Sequence, residues 1–259
     1  MEIKQNIQTQ VELFHLLFLE QLSLKIDKRL YALKGGCNLR FFLNSIRYSE
    51  DIDFDVHTIA VATLEKSVSK ILSSLPFKQI LNTRAISIVN FTTPKQTETT
   101  QRWKIKLKVA SNTLEVNTKI EFSRRKAEMA SVLEPIAKSL SINYNLRTIY
   151  VSHYPTDIAL QQKILALILR TETQARDIFD INLLLQQGAS IAPNQFTAAE
   201  LDTAIANANS ISFAEFKAQV VSYLEYEYIK QYSDASIWQS IIDSVITYLG
   251  ELNAINKRL

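Results

Sequence analysis

The chain has 259 residues, with 29 Lys and Arg against 26 Asp and Glu, a formal net charge of +3. That length makes one large domain or two small ones and buries roughly three quarters of the unfolded surface, so no disulfide or structural metal is needed for folding. A composition 47% hydrophobic and 21% charged excludes global disorder, and the lone cysteine, Cys37, excludes an internal disulfide and cysteine-rich zinc sites.

The first ten residues, MEIKQNIQTQ, are polar and do not read as a secretory signal. The apolar stretch after them, VELFHLLFLEQLSL, is broken by His15, Glu20 and Gln21 and is too short and mixed to span a membrane. The sequence therefore predicts a soluble, cytoplasmic protein without a membrane partner. Val11, Phe14, Phe18, Leu22 and Ile26 recur at helical spacing, which predicts a helix over 7–29. Tyr31, Ala32 and Leu33 read as a short buried strand that ends at Gly35 and Gly36. A helix follows over 37–44. Ile52, Phe54 and Val56 then alternate with Asp51, Asp53 and Asp55, the pattern of a strand with one buried face. A helix is expected over 61–74 and β-prone runs over 85–91, 101–110 and 113–123. The polar segment Thr92–Thr100, with Pro94, reads as a loop. Beyond about residue 150 the alternation gives way to helical patterns, placed at 155–170, 174–187, 195–208, 212–231 and 234–252. No internal repeat or low-complexity segment is visible.

Glycine is scarce. There are four, at 35, 36, 188 and 250, against roughly 7% in average proteins, and two of them are adjacent. A strand that ends in two glycines and runs directly into a helix offers free backbone N–H groups and the positive end of a helix dipole, which attract phosphate oxygens. On the following strand Asp51, Asp53 and Asp55 stand at every second position and share one face. Carboxylates so placed repel one another unless a cation lies between them. Mg²⁺, which takes oxygen ligands and shares them with substrate phosphates, is the natural candidate. Each half also has an ordinary reading, a plain turn and an exposed acidic strand face. Their conjunction, with Ile52 and Phe54 fixing the strand to a core, favours a site.

The run Lys34-Gly35-Gly36-Cys37-Asn38-Leu39, followed by Arg47-Tyr48-Ser49-Glu50-Asp51-Ile52-Asp53-Phe54, resembles the first motif of the AbiEii-type nucleotidyltransferase toxins of the polymerase-β-like superfamily. Gly35 and Gly36 match its glycines, and Asp51 and Asp53 its metal pair. Lys119-Ile120-Glu121 resembles the strand with the superfamily's third carboxylate, which makes Glu121 the candidate. The string QQKILALILRTETQARDIFDINLLL resembles the family's helical motif and places Lys163, Arg176, Asp177 and Asp180 in it. The motifs run in the expected order through most of residues 10–187. The family has Ser or Thr after the glycines; here Cys37 stands there, and its S–H is a weak donor. At a helix N-terminus this thiol would be acidified, although His15, His57 and His153 show no triad spacing with it.

The resemblance implies an α+β fold, with a nucleotidyltransferase core of mixed sheet and flanking helices over 1–150 and an α-helical C-terminal domain over 151–259. It implies that Asp51, Asp53 and Glu121 hold Mg²⁺ and carry the chemistry, with NTP as substrate. Gly35, Gly36 and Cys37 would bind the nucleotide, and Lys163 would neutralise its triphosphate. Asp177 and Asp180 would orient Lys163 or touch base and ribose. Arg176 would assist in nucleotide binding or form an ordinary helix ion pair with Asp180. Asp55 reads either as a further ligand or as a solvent-facing strand end.

The acceptor is addressed by charge. Residues 84–126 hold ten basic and three acidic side chains, whereas 188–252 hold two basic and eight acidic. Lys104, Lys106 and Lys108 alternate with Trp103, Ile105, Leu107 and Val109 and so lie on one strand face. With Arg102, Arg124, Arg125 and Lys126 such a strip suits an RNA backbone; it equally suits a solvated face that shields an edge strand. The family contains toxins of toxin–antitoxin pairs, some similar to enzymes that modify tRNA ends, which implies a tRNA-like acceptor and a cognate antitoxin. Two alternatives stand beside this reading. One is the same chemistry on a small hydroxylated molecule such as an antibiotic. The other is a non-catalytic interaction protein that keeps the fold, motivated by Cys37.

Overall fold

The alternating segment Asp51–Val56 forms the middle strand of a seven-stranded sheet in the computed structural model, which describes residues 2–109, 115–124 and 130–257, with side chains from residue 7 onward. The elements run α1 (Glu2–Lys25), β1 (Tyr31–Lys34), α2 (Gly35–Phe42), β2 (Asp51–Val56), α3 (Val61–Ser73), α4 (Leu75–Thr83), β3 (Ile86–Gln96), β4 (Thr100–Val109), β5 (Glu115–Ser123), β6 (Val132–Pro135), α5 (Lys138–Asn143) and β7 (Tyr150–His153). Then come α6 (Thr156–Leu169), α7 (Ala175–Gln186), α8 (Ala198–Asn209), α9 (Phe213–Gln219), α10 (Tyr226–Tyr232) and α11 (Ala235–Asn256). The fold is mixed α+β. None of the described helices is long and apolar enough to cross a membrane.

The chain divides into two compact units. The first comprises Met1–Asn44 and Tyr48–Tyr154; the second comprises Ser45–Arg47 and Pro155–Leu259.

The sheet belongs to the first unit, in the order β3-β4-β5-β2-β1-β7-β6. β2 pairs antiparallel with β1 and parallel with β5, and β5 pairs antiparallel with β4. One sheet face is apolar. Leu33, Ile52, Phe54, Ile120, Phe122, Trp103 and Ile105 pack in one cluster with Phe14, Phe18 and Leu22 of α1, Leu64 and Val68 of α3, and Phe77 and Leu81 of α4. Phe54 stacks on Phe122 with centroids 4.7 Å apart. Burying each such ring contributes about 1.5–3 kcal/mol, and that anchoring fixes which way the intervening side chains of β2 and β5 point.

Several boundaries differ from the sequence reading. α1 stops at Lys25, and Asp27 then accepts from the Arg29 N–H to start a 3-10 turn at Lys28–Leu30. β3 continues through the expected loop to Gln96. It is an edge strand, where Pro94 needs no ladder donor, and its register shifts between Ile88 and Asn90 and between Thr92 and Lys95. β6, α5 and β7 were not foreseen; elements of four to six residues are too short to show a period. α4 also went unread, although Ser74 caps it by accepting from the Phe77 N–H.

In the second unit, capping boxes Thr197/Glu200 and Ser212/Glu215 start α8 and α9. The single helix expected over 212–231 is broken in two. Between α9 and α10 the Glu225 N–H donates to the Ile46 carbonyl and Leu224 bridges Arg47. The backbone is drawn out of the helix to meet residues 46–47.

Candidate active site

Register brings the two acidic strands together. Asp53 of β2 lies opposite Glu121 of β5, and Asp51 opposite Lys119. The apolar alternates are buried below, so these four side chains rise on the other face of the sheet. On the next strand Arg102 stands opposite Glu121 and Lys104 opposite Lys119.

At the centre of the acids is a cation that the sequence reading did not assign. Lys119 Nζ lies 3.3 Å from Asp51 Oδ2, 3.6 Å from Glu121 Oε2 and 3.9 Å from Asp53 Oδ1. Arg102 Nε donates to Glu121 Oε2 at 2.7 Å. Burial raises the Asp53 pKa above the ordinary carboxylate value, against the pull of Lys119, with Asp51 and Glu121 adding to the rise. For Glu121 burial acts upward too, but Lys119 and Arg102 outweigh it and hold its pKa low. Burial alone would lower the Lys119 pKa; the three carboxylates reverse this and raise it.

Among the described residues no three His, Cys, Asp or Glu side chains are already set to hold a metal ion. The Lys119 ammonium lies among the three acids. The donor chemistry still suits a hard divalent ion: Asp51, Asp53 and Glu121 offer only oxygens, and all three turn to one positive charge. Asp55 leaves the group. It is not a solvent-facing strand end. It is buried, with Lys34 Nζ at 2.5 Å on Oδ1 and the Tyr154 hydroxyl donating to Oδ2 at 3.0 Å.

The glycine bend sits against this group. Gly35 has φ +67°, a region only glycine enters freely, and a Cβ there would lie 3.3 Å from Asp53 Oδ2. Gly36 follows within the first turn of α2. Cys37 faces elsewhere. It is buried, its thiol donates to the Asp51 carbonyl at 3.2 Å, and His15 Nδ1 lies 3.7 Å from its sulfur. Burial pushes the thiol pKa well up, with the Asp53 charge adding to the rise, so the expected acidification does not occur. His15 is itself pushed down to about 3 by burial and stays neutral, so the pair forms no thiolate–imidazolium couple. His15 Nε2 meets the Thr118 hydroxyl at 2.7 Å, and that hydroxyl donates to the Glu50 carbonyl at 2.7 Å. The backbone entering β2 is therefore held at two successive carbonyls, Glu50 and Asp51.

The basic strip shares the sheet face of the acids. Lys104 and Lys108 are exposed, and Lys106 pairs with Glu115 at 2.8 Å. Arg124 does not join them: its Nη2 donates to the Ile59 carbonyl and to Gln101 Oε1. Arg125 and Lys126 lie outside the described residues.

The helical motif forms a buried ionic cluster in the second unit. Lys163 Nζ of α6 contacts Asp180 Oδ2 at 2.6 Å and Asp177 Oδ1 at 3.1 Å, both on α7. Arg47 Nη2 lies 3.0 Å from Asp180 Oδ2, and Arg170 Nε 2.7 Å from Asp177 Oδ2. Burial acts to raise the Asp180 pKa, but Arg47 and Lys163 prevail and hold it low. Asp177 and Asp180 are fully buried, so in this conformation neither can touch a base or ribose; their geometry suits orientation of Lys163. Arg176 is half-buried, and Asp180 pairs with Arg47 and Lys163 in its place. Arg47 and Arg170 went unassigned in the sequence reading. Alternation could have exposed Lys119, which shares its face with Glu121, but no local signal links Arg47 to a residue so distant in sequence.

A family described as the nucleotidyl transferase AbiEii toxin of type IV toxin–antitoxin systems matches residues 17–239. None of the curated proteins matches the chain in sequence. Among solved structures the fold is similar to JHP933 from Helicobacter pylori, with TM-score 0.61, 17% identity and coverage of 97% of this chain and 94% of that one. It is also similar to MenT4, a nucleotidyltransferase toxin of Mycobacterium tuberculosis H37Rv, with TM-score 0.62, 15% identity and coverage of 96% and 87%.

Proposed function

The chain belongs to the AbiEii nucleotidyltransferase toxin family, and from that premise we propose that it transfers a nucleoside monophosphate from an NTP to a hydroxyl of RNA in a Mg²⁺-dependent reaction. Membership implies a nucleotide substrate and an antitoxin partner. The observation that carries the finer reading is the position of Asp53, which lies against the Gly35 bend and opposite Glu121. Phosphates received by the N–H groups of α2 would thereby lie beside the carboxylates.

In this reading Asp51, Asp53 and Glu121 hold the divalent ion. When bound, such an ion stabilises phosphate charge and lowers the pKa of a nearby hydroxyl. The remaining work belongs to the chain. Gly35 and Gly36 admit the triphosphate without side-chain obstruction. Lys163, held by Asp177 and Asp180 within the second unit, keeps the phosphate-neutralising role that the family resemblance implies. Cys37 serves the bend from beneath as a packing residue. The acceptor hydroxyl would give up its proton to solvent as its oxygen bonds to the α-phosphorus and the bond from that phosphorus to the departing pyrophosphate breaks.

An RNA acceptor is supported by the row Lys104, Lys106 and Lys108, which shares the sheet face of the acids; a small acceptor needs no such row. The deciding experiment incubates the protein with each labelled NTP, Mg²⁺ and total RNA and separates the products on a gel. Labelled RNA is expected from wild type and none from Asp53→Ala. The triple change of Lys104, Lys106 and Lys108 to Glu should abolish RNA labelling while NTP binding persists. Absence of transfer from any NTP overturns the reading.

A further inference from the structure

Lys119 occupies the space between the carboxylates that the sequence reserves for a divalent cation. Its three ion-pair distances fall between 3.3 and 3.9 Å. The shortest contacts of two other paired lysines are tighter: Lys34 lies 2.5 Å from Asp55 and Lys163 2.6 Å from Asp180. Charge-assisted N–H···O contacts ordinarily close to about 2.7–2.9 Å. The Lys119 ammonium is thus shared among three acids, and even its shortest contact, to Asp51, is longer than that range. Its side chain is 27% exposed, and its flexible stem leaves it an exit to solvent.

A divalent ion bonds oxygen at about 2.0–2.1 Å when it is Mg²⁺. It brings twice the charge at roughly two thirds of the distance, so its Coulomb attraction to each oxygen is about three times that of the ammonium. The two cations cannot occupy the same space.

We propose that Lys119 is a built-in, displaceable counter-ion. It holds Asp51, Asp53 and Glu121 together in the metal-free protein and competes with the divalent ion for their oxygens. The inference rests on the reading that these acids take such an ion. Two consequences follow from one charge. Without Lys119 the metal-free acids repel one another, and the protein loses stability in chelator. Without Lys119 the ion also meets no competitor, so it binds more tightly.

The test titrates Mn²⁺ into the nucleotide-free 259-residue chain by isothermal calorimetry, with melting curves in EDTA and in Mn²⁺. Wild type, Lys119→Met, Lys119→Gln and Asp53→Asn are compared. Both Lys119 variants should bind Mn²⁺ about tenfold more tightly. Both should melt below wild type in EDTA and gain more from Mn²⁺. Asp53→Asn should bind it more weakly. If wild type binds Mn²⁺ through Asp53 but the Lys119 variants bind no more tightly, the counter-ion role is overturned and the metal reading stands. If neither wild type nor the Lys119 variants bind Mn²⁺, or Asp53→Asn changes nothing, both fall together.

Discussion

Gly35 and Asp53 are in near contact: a methyl group on the glycine would reach to 3.3 Å from a carboxylate oxygen, and the glycine has a positive φ. Gly35→Ala therefore meets strain and crowding at one point. The left-handed conformation alone costs about 1–2 kcal/mol for an L-residue. We expect a loss of that size in urea unfolding, together with a much larger proportional fall in nucleotide transfer, since the added methyl presses on Asp53. Unchanged transfer would separate the bend from the chemistry.

Asp180 and Arg176 should behave in opposite ways. Asp180→Asn leaves Arg47 and Lys163 short of a counter-charge inside the second unit, and breaking a buried pair costs about 3–5 kcal/mol. Arg176→Ala removes a half-buried side chain that is not Asp180's partner, and a change of that kind stays within about 0.5 kcal/mol. Chemical denaturation of the two variants measures the contrast. Equal effects would mean that Arg176 has taken the role assigned here to Arg47.

Much of the arrangement of this candidate site could be read from the chain alone, for a definite reason. The β2 acids, the two glycines and Glu121 are local patterns, and alternation with Ile52, Phe54 and Ile120 sets their direction. What escaped depends on pairing between distant segments. The Asp55–Lys34 pair requires the β1–β2 register, the seat of Lys119 requires the β2–β5 register, and Arg47 reaches Asp180 only because residues 45–47 fold with the second unit. The strands β6 and β7 escaped for a different reason: four residues carry too few alternations to stand out.

Acid should weaken the fold through His15. Its folded pKa is about 3 against an ordinary 6.5, so between these values the unfolded chain holds a proton that the folded one does not. Unfolding free energy is therefore full above pH 6.5 and falls on acidification, by up to about 1.4 kcal/mol per pH unit from this group. Stability measured between pH 7 and pH 5 should fall more steeply for wild type than for His15→Asn. Parallel slopes would show that His15 is protonated in the native state.

Cys37 should be chemically silent. Its sulfur is buried and its pKa raised, so a disulfide reagent such as DTNB should label it only after denaturant is added. Cys37→Ser should leave nucleotide affinity at or above the wild-type level, because the side chain faces His15 and the Asp51 carbonyl. Rapid native labelling, or a clear loss of affinity in the serine variant, would assign the sulfur a direct part in binding.

The outer rim of the sheet has a consequence for the protein at high concentration. An eleven-residue border strand would normally offer a template on which another copy could polymerise. Here Pro94 lacks a donor and the strand's register slips twice against β4, irregularities of the kind that blunt strand addition at a sheet edge. An edge so interrupted is a poor template for a second copy.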